Sequence, residues 1–125
     1  KKYPEQKIYG TSAGIHVRSK SESMIVYLLH NYKIPFRYES ELELGQVTVY
    51  PDFTIRHPKT GKLFLWEHLG MVDEPAYRRN ALSKLQLYME HGWIPSVNLL
   101  LTYETKEYPL DMAYVEGLLK EYFVK

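Results

Sequence analysis

Lys62-Leu63-Phe64-Leu65-Trp66-Glu67-His68-Leu69-Gly70 is the stretch from which the architecture can be read. Four apolar residues in a row, and a Leu beyond the polar pair, leave no wet face. A strand apolar on both faces sits centrally in a sheet and is covered on both sides. Gly70 ends it. Upstream, Pro58-Lys59-Thr60-Gly61 is turn sequence, and a second strand is predicted over about 47–56. Pro51 lies inside that strand. It cannot donate to a ladder, so the strand is expected to be interrupted or bulged just before Asp52.

Outward from this hairpin, Phe36, Tyr38, Leu42 and Leu44 alternate with Arg37, Glu39, Glu41 and Glu43, which predicts one strand over 36–44 with one wet face. Gly45-Gln46 suits a type II′ hairpin turn. Before it, Ser19-Lys20-Ser21-Glu22 opens a helix. Met24, Ile25, Leu28, Leu29 and Tyr32 recur at helical spacing, and Pro35 stops it. Residues 1–18, broken by Gly10 and Gly14, read as irregular. After Gly70, Asp73 is the predicted cap of a second helix with Pro75 in its first turn. Its stripe is Tyr77, Ala81, Leu85, Tyr88 and Met89, ended by Gly92 and Pro95. Val97 to Tyr103 reads as a fourth buried strand, and Asp111 caps a last helix carrying Val115, Leu118, Leu119 and Tyr122. The order α-β-β-β-α-β-α predicts an α/β fold. Strand four should return through a right-handed crossover and lie parallel to strand three, in a mixed sheet with helices on both faces.

Composition narrows the function classes. A chain of 125 residues fits one domain, read as 19–125 behind the irregular 1–18. Its 45 % hydrophobic and 25 % charged residues are ordinary for a globular protein. The net charge of +1 neither demands nor excludes nucleic acid, because binding needs a local basic patch. The absence of cysteine excludes disulfides, thiolate zinc sites and cysteine nucleophiles, and it fits a reducing, cytoplasmic setting. No apolar run approaches the ~18 residues of a bilayer span. Lys1-Lys2-Tyr3-Pro4 has no apolar segment behind it and is not read as a signal peptide. The chain lacks a starting Met and reads as a module of a larger protein.

The chemistry starts from register. The turn is centred between Lys59 and Thr60, so a simple hairpin sets Asp52 opposite Glu67 on one face. Their Cβ atoms are then roughly 5 Å apart, and the charges repel by about 3 kcal/mol at an effective dielectric of about 20. A divalent cation removes that cost, and hard oxygen ligands suit Mg²⁺ or Mn²⁺. The alternative is a slipped register, or a bulge at Pro51, with each acid at a solvated strand end. Glu22 also has two readings. Ser19-x-x-Glu22 is a capping box, yet Glu22 borders the buried stripe and can look into a cleft. Lys84 and Arg78 border the stripe of the second helix, where each can snorkel to water. His68 points away from the Glu67 face and reads as a hydrogen-bonded core histidine. No phosphate-cradling glycine motif and no nucleophile elbow are visible.

Glu22, Pro51-Asp52 and Glu67, in the order α-β-β-β-α-β, resemble the PD-(D/E)xK nuclease superfamily with its restriction-endonuclease-like fold. The resemblance runs from about Arg18 to Tyr122. More narrowly, Val17-Arg18-Ser19-Lys20-Ser21-Glu22, Tyr50-Pro51-Asp52-Phe53 and Trp66-Glu67-His68-Leu69-Gly70-Met71 are similar to a bacterial and phage branch often found within larger proteins. The resemblance implies a restriction-endonuclease-like αβββαβ core plus a C-terminal helix, and metal-dependent hydrolysis of phosphodiesters in nucleic acid, expected to be DNA. It implies Glu22, Asp52, Glu67 and Lys84 as catalytic residues. Asp52, Glu67 and the main-chain carbonyl of His68 are the implied Mg²⁺ ligands, with Mn²⁺ as a substitute; Arg18, Lys20 and Arg78 are the implied phosphate contacts. One position departs: the superfamily's lysine, two residues after the strand-three acid, is here Leu69. Lys84 on the following helix is the implied replacement. The departure keeps a rival open, a nuclease-fold module that binds nucleic acid or a partner protein without turnover. A homo-oligomer is equally open.

Overall fold

Apolar residues on both faces make a strand that only a doubly covered sheet can hold, and the chain builds that sheet. The computed structural model describes residues 4–7 and 9–125. Its elements are β1 (Tyr9–Gly10), β2 (His16–Val17), α1 (Lys20–Asn31), β3 (Phe36–Tyr38), β4 (Leu42–Leu44), β5 (Val47–Val49), β6 (Phe53–Arg56), β7 (Leu63–Leu69), α2 (Pro75–Glu90), β8 (Leu99–Tyr103) and α3 (Met112–Leu119). The main sheet runs β3-β6-β7-β8, with β8 parallel to β7 and the other pairs antiparallel. The protein is thus mixed α/β. Among the described residues, no helix is long and apolar enough to cross a membrane.

Alternation along β7 feeds two cores. Phe64 and Trp66 join Ile25, Leu29, Val115 and Leu119 under α1 and α3. Leu65 and Leu99 join Leu85 and Tyr88 of α2 and, from the small β4–β5 hairpin, Leu44 and Val49. The β4–β5 turn has Gly45 at φ 65°, as a type II′ turn requires.

Several expectations need correcting. The single strand over 36–44 is two. Glu39 adopts a left-handed φ of 50°, and the chain changes sides there. Phe36 and Tyr38 pack toward α1, whereas Leu42 and Leu44 pack toward α2. Glu39, read as facing water, is buried. Strand two, by contrast, is interrupted between Val49 and Phe53, as the missing donor of Pro51 leads one to expect. Asp73 does not cap α2; Glu74 is the cap residue, without a side-chain bond, and Asp73 Oδ2 accepts from Lys106 N–H at 3.3 Å. Met89 is exposed rather than part of the stripe. The fourth strand starts at Leu99, because Pro95 and Ser96, at φ 66°, turn the chain first. Within 1–18, Tyr9–Gly10 pairs with His16–Val17 as a short ribbon, and Val17 enters the core. Residues 1–3 and 8 lie outside the described part of that segment. Ser19 and Asp111 do cap α1 and α3.

Candidate active site

The β6–β7 turn sets the register. His57 N–H donates to Lys62 O at 2.8 Å, Gly61 N–H donates to His57 O at 2.9 Å, and Gly61 takes φ 75°. Phe53 then pairs with Trp66 and Arg56 with Leu63. One step further, Asp52 stands opposite Glu67, where the ladder gives way to side chains. Asp52 N–H donates to Glu67 Oε2 at 2.7 Å, and His68 N–H donates to Asp52 Oδ2 at 2.8 Å. Each carboxylate thus grips the other's strand. Both are buried, at 5 % and 3 % exposure, and a negative charge is held there only with donors or cations around it.

Helix α2 supplies both. Lys84 and Tyr88, one helical turn apart, come over the same face. Lys84 Nζ forms an ion pair with Glu67 Oε1, and Tyr88 OH donates to that oxygen at 3.2 Å. Burial, and then the charge of Glu67 and its hydrogen bond, push the Tyr88 phenol far up, so it stays a protonated donor. Lys84, given by the resemblance as the replacement for the strand lysine, thus lies against Glu67.

Glu22 enters from the other side. Ser19 Oγ accepts from Glu22 N–H at 3.1 Å, which is the helix cap. The returning carboxylate bypasses Ser19. Its Oε1 accepts from Arg18 N–H at 3.0 Å and from Tyr38 OH at 2.9 Å. Glu22, Asp52, Glu67 and Lys84 all line one cavity of about 570 Å³, together with Arg18, His68 and an apolar wall that includes Leu69, Met71, Tyr77 and Ala81. Among the described residues that line it are three acids, Glu22, Asp52 and Glu67, and two bases, Arg18 and Lys84.

The expected phosphate contacts are only partly gathered. Arg18 lines the cavity, but its guanidinium is engaged by Glu39, with Nε to Oε2 at 2.7 Å and Nη2 to Oε1 at 3.3 Å. Lys20 is exposed at the start of α1, outside the cavity lining. Arg78 is exposed too, and Nη1 donates to Val72 O at 2.6 Å. Helical rotation turns it away from Lys84. His68 sends its side chain to the far face as expected, and it belongs to a network that periodicity did not reveal. Its ring meets Thr102 and Glu104, and Ser21 OH donates to Glu104. Burial pushes the Glu104 carboxyl up, but hydrogen bonds from Ser21 and His68 outweigh it and hold it below the usual range. Tyr38, Tyr88 and Glu104 were missed because a hydroxyl on an apolar stripe, or an acid just past a strand, looks ordinary in sequence. A polar Thr102 directly after Leu99-Leu100-Leu101, in a strand otherwise apolar, was the available signal.

The donor set can be tested against a metal. Among the described residues, no three His, Asp or Glu side chains form a ready-made metal cluster. Two carboxylates and a carbonyl remain, and Mg²⁺ accepts such a set, because it keeps several waters and binds one or two carboxylates. The carbonyl of His68 has the right sense. Odd residues of β7 bond toward β8, as Leu65 N–H to Asn98 O and Glu104 N–H to Leu69 O show. His68 N–H instead points to Asp52, and the N–H and C=O of one strand residue share an edge. The residues fit a hard divalent cation.

No family model matches the chain, and no solved structure matches it. An uncharacterised protein of Methanocaldococcus jannaschii is 33 % identical over 92 residues, which cover 73 % of this chain and 8 % of that protein. The chain therefore spans a small part of the curated relative it matches.

Proposed function

We propose that the chain is a restriction-endonuclease-like domain that hydrolyses phosphodiester bonds in nucleic acid, expected to be DNA, with Mg²⁺ or Mn²⁺. One observation carries this reading: Lys84, from the helix after β7, meets Glu67 beside Asp52, where Leu69 has displaced the strand lysine. Held by Asp52, Glu67 and the His68 carbonyl, the cation would supply a water acidified enough to attack and positive charge beside the phosphate. The chain's own groups do the rest. Lys84 orients the attacking water and offsets charge growing on the phosphoryl oxygens. Tyr88 keeps Glu67 aimed. The apolar wall restricts bulk water, which strengthens each charge interaction. Water oxygen joins phosphorus as the P–O bond to the departing strand breaks. Lys20 and Arg78 can hold phosphates beyond the cavity, positioning the strand without reading sequence.

The test is cleavage of single- and double-stranded DNA and RNA across a Mg²⁺ and Mn²⁺ titration. Metal-dependent cleavage, lost in Asp52→Asn, is expected. Leu69 favours a second reading, a module without turnover, and metal binding with no cleavage of any substrate would select it.

Glu22 gives a narrower prediction. Gln offers the same oxygen to Arg18 N–H and Tyr38 OH, so Glu22→Gln should fold within about 1 kcal/mol of the wild type. Its metal-dependent turnover should nonetheless fall, because the charge facing the cavity is gone. Thermal melts beside activity assays separate the two roles, and full turnover would leave Glu22 a helix-end residue only.

A further inference from the structure

His68 serves the site through its main chain while its side chain lies on the opposite face of β7. There its Nδ1 is 2.8 Å from Thr102 Oγ1, and its Nε2 is 2.6 Å from Glu104 Oε1. Trp66 Nε1 donates to Thr102 Oγ1 at 3.1 Å. An indole only donates, so the Thr102 hydroxyl proton is left for His68 Nδ1, and Nε2–H then faces the Glu104 carboxylate. That bond is charge-assisted, which makes it stronger than a neutral one. Glu104 is fixed in turn. Ser21 OH donates to its Oε1, and Leu110 N–H donates to its Oε2 at 3.3 Å. Its own N–H donates to Leu69 O at 3.0 Å.

We propose that Glu104 is a positioning residue: by holding the His68 ring and Ser21 together, it sets the His68 main chain against Asp52 and the first turn of α1 against the same site. The pleat of a strand ties side chain to main chain. A fixed imidazole therefore fixes the N–H that Asp52 accepts and the carbonyl on the same edge. Ser21 adjoins Glu22, so one carboxylate references both ends of the cavity. The geometry of this inference is independent of any metal; its consequence for metal affinity rests on the reading under Proposed function.

Amide hydrogen exchange on the metal-free protein reads the geometry, and Mn²⁺ titration reads the consequence. Glu104→Gln keeps the size but cannot accept from both Leu110 and the His68–Ser21 pair. Exchange at the His68 amide should speed up roughly tenfold, with the Leu65 amide unchanged. Mn²⁺ should bind roughly 10- to 100-fold more weakly, with Asp52→Asn as the control that lacks binding. Ser21→Ala, at a half-buried position, should shift both in the same direction by less, and it carries the test if Glu104→Gln fails to fold. His68 exchange that rises no more than Leu65 exchange overturns the inference. Faster His68 exchange in a protein that binds no Mn²⁺ upholds the positioning role and removes the metal reading instead.

Discussion

Lys84→Ala is expected to cut turnover by about a hundredfold or more, with metal binding retained or tightened. The two effects have one origin. Lys84 is the cation paired with Glu67 Oε1, so its loss removes a charge that competes with metal for that oxygen. The same loss removes the group that orients water and meets developing negative charge. Stability should drop by roughly 1–3 kcal/mol, since Glu67 keeps Tyr88 OH and Asp52 N–H but loses the charge of Lys84. Lys84→Gln separates the contributions. It keeps a donor and most of the stem, so much of the stability should return while turnover stays low. Measured kcat and Mn²⁺ affinity for both variants decide the matter. Turnover within tenfold of the wild type would take Lys84 out of the reaction and leave a structural ion pair.

Millimolar Mg²⁺ or Mn²⁺ should raise the melting temperature, and Asp52→Asn should abolish the rise. A ligand that binds only the folded state at a hundred times its Kd stabilises by about 2.7 kcal/mol. For a domain of this size that is about 10 °C. In Asp52→Asn the side-chain oxygen still accepts from His68 N–H, so the fold is kept while a ligand charge is lost. Without metal this variant should melt at or slightly above the wild type, because it relieves repulsion with Glu67. Calorimetric melts with and without cation check all three outcomes. Indifference to metal combined with a destabilised Asp52→Asn would make both carboxylates structural and would remove the nuclease reading.

The site was partly legible because part of it is local. A short turn and a two-residue side-chain period bring Asp52 opposite Glu67 with no knowledge of the rest of the fold. A capping box and a helical stripe likewise place Glu22 and Lys84 at the borders of buried faces. The fate of the long polar side chains was not legible. Arg18 could as well have met a phosphate as Glu39, a residue 21 positions away. Ser21 and Glu104 are 83 positions apart, and nothing in either neighbourhood marks them as partners.

By itself, then, the sequence determined the three helices, the parallel return of the last strand beside β7, the caps at Ser19 and Asp111, the break at Pro51 and the facing pair Asp52 and Glu67. These follow from interactions within a turn, a hairpin or a helix face. Only the tertiary structure decided that Glu39 would turn left-handed and send Leu42 and Leu44 to the other core. It alone closed Tyr88 over Glu67 and joined α1 to His68 through Glu104. A left-handed residue costs roughly 1–2 kcal/mol, and a buried carboxylate costs several unless it is paired. Each is met here by a partner that arrives only when whole elements pack, so no local pattern could announce it.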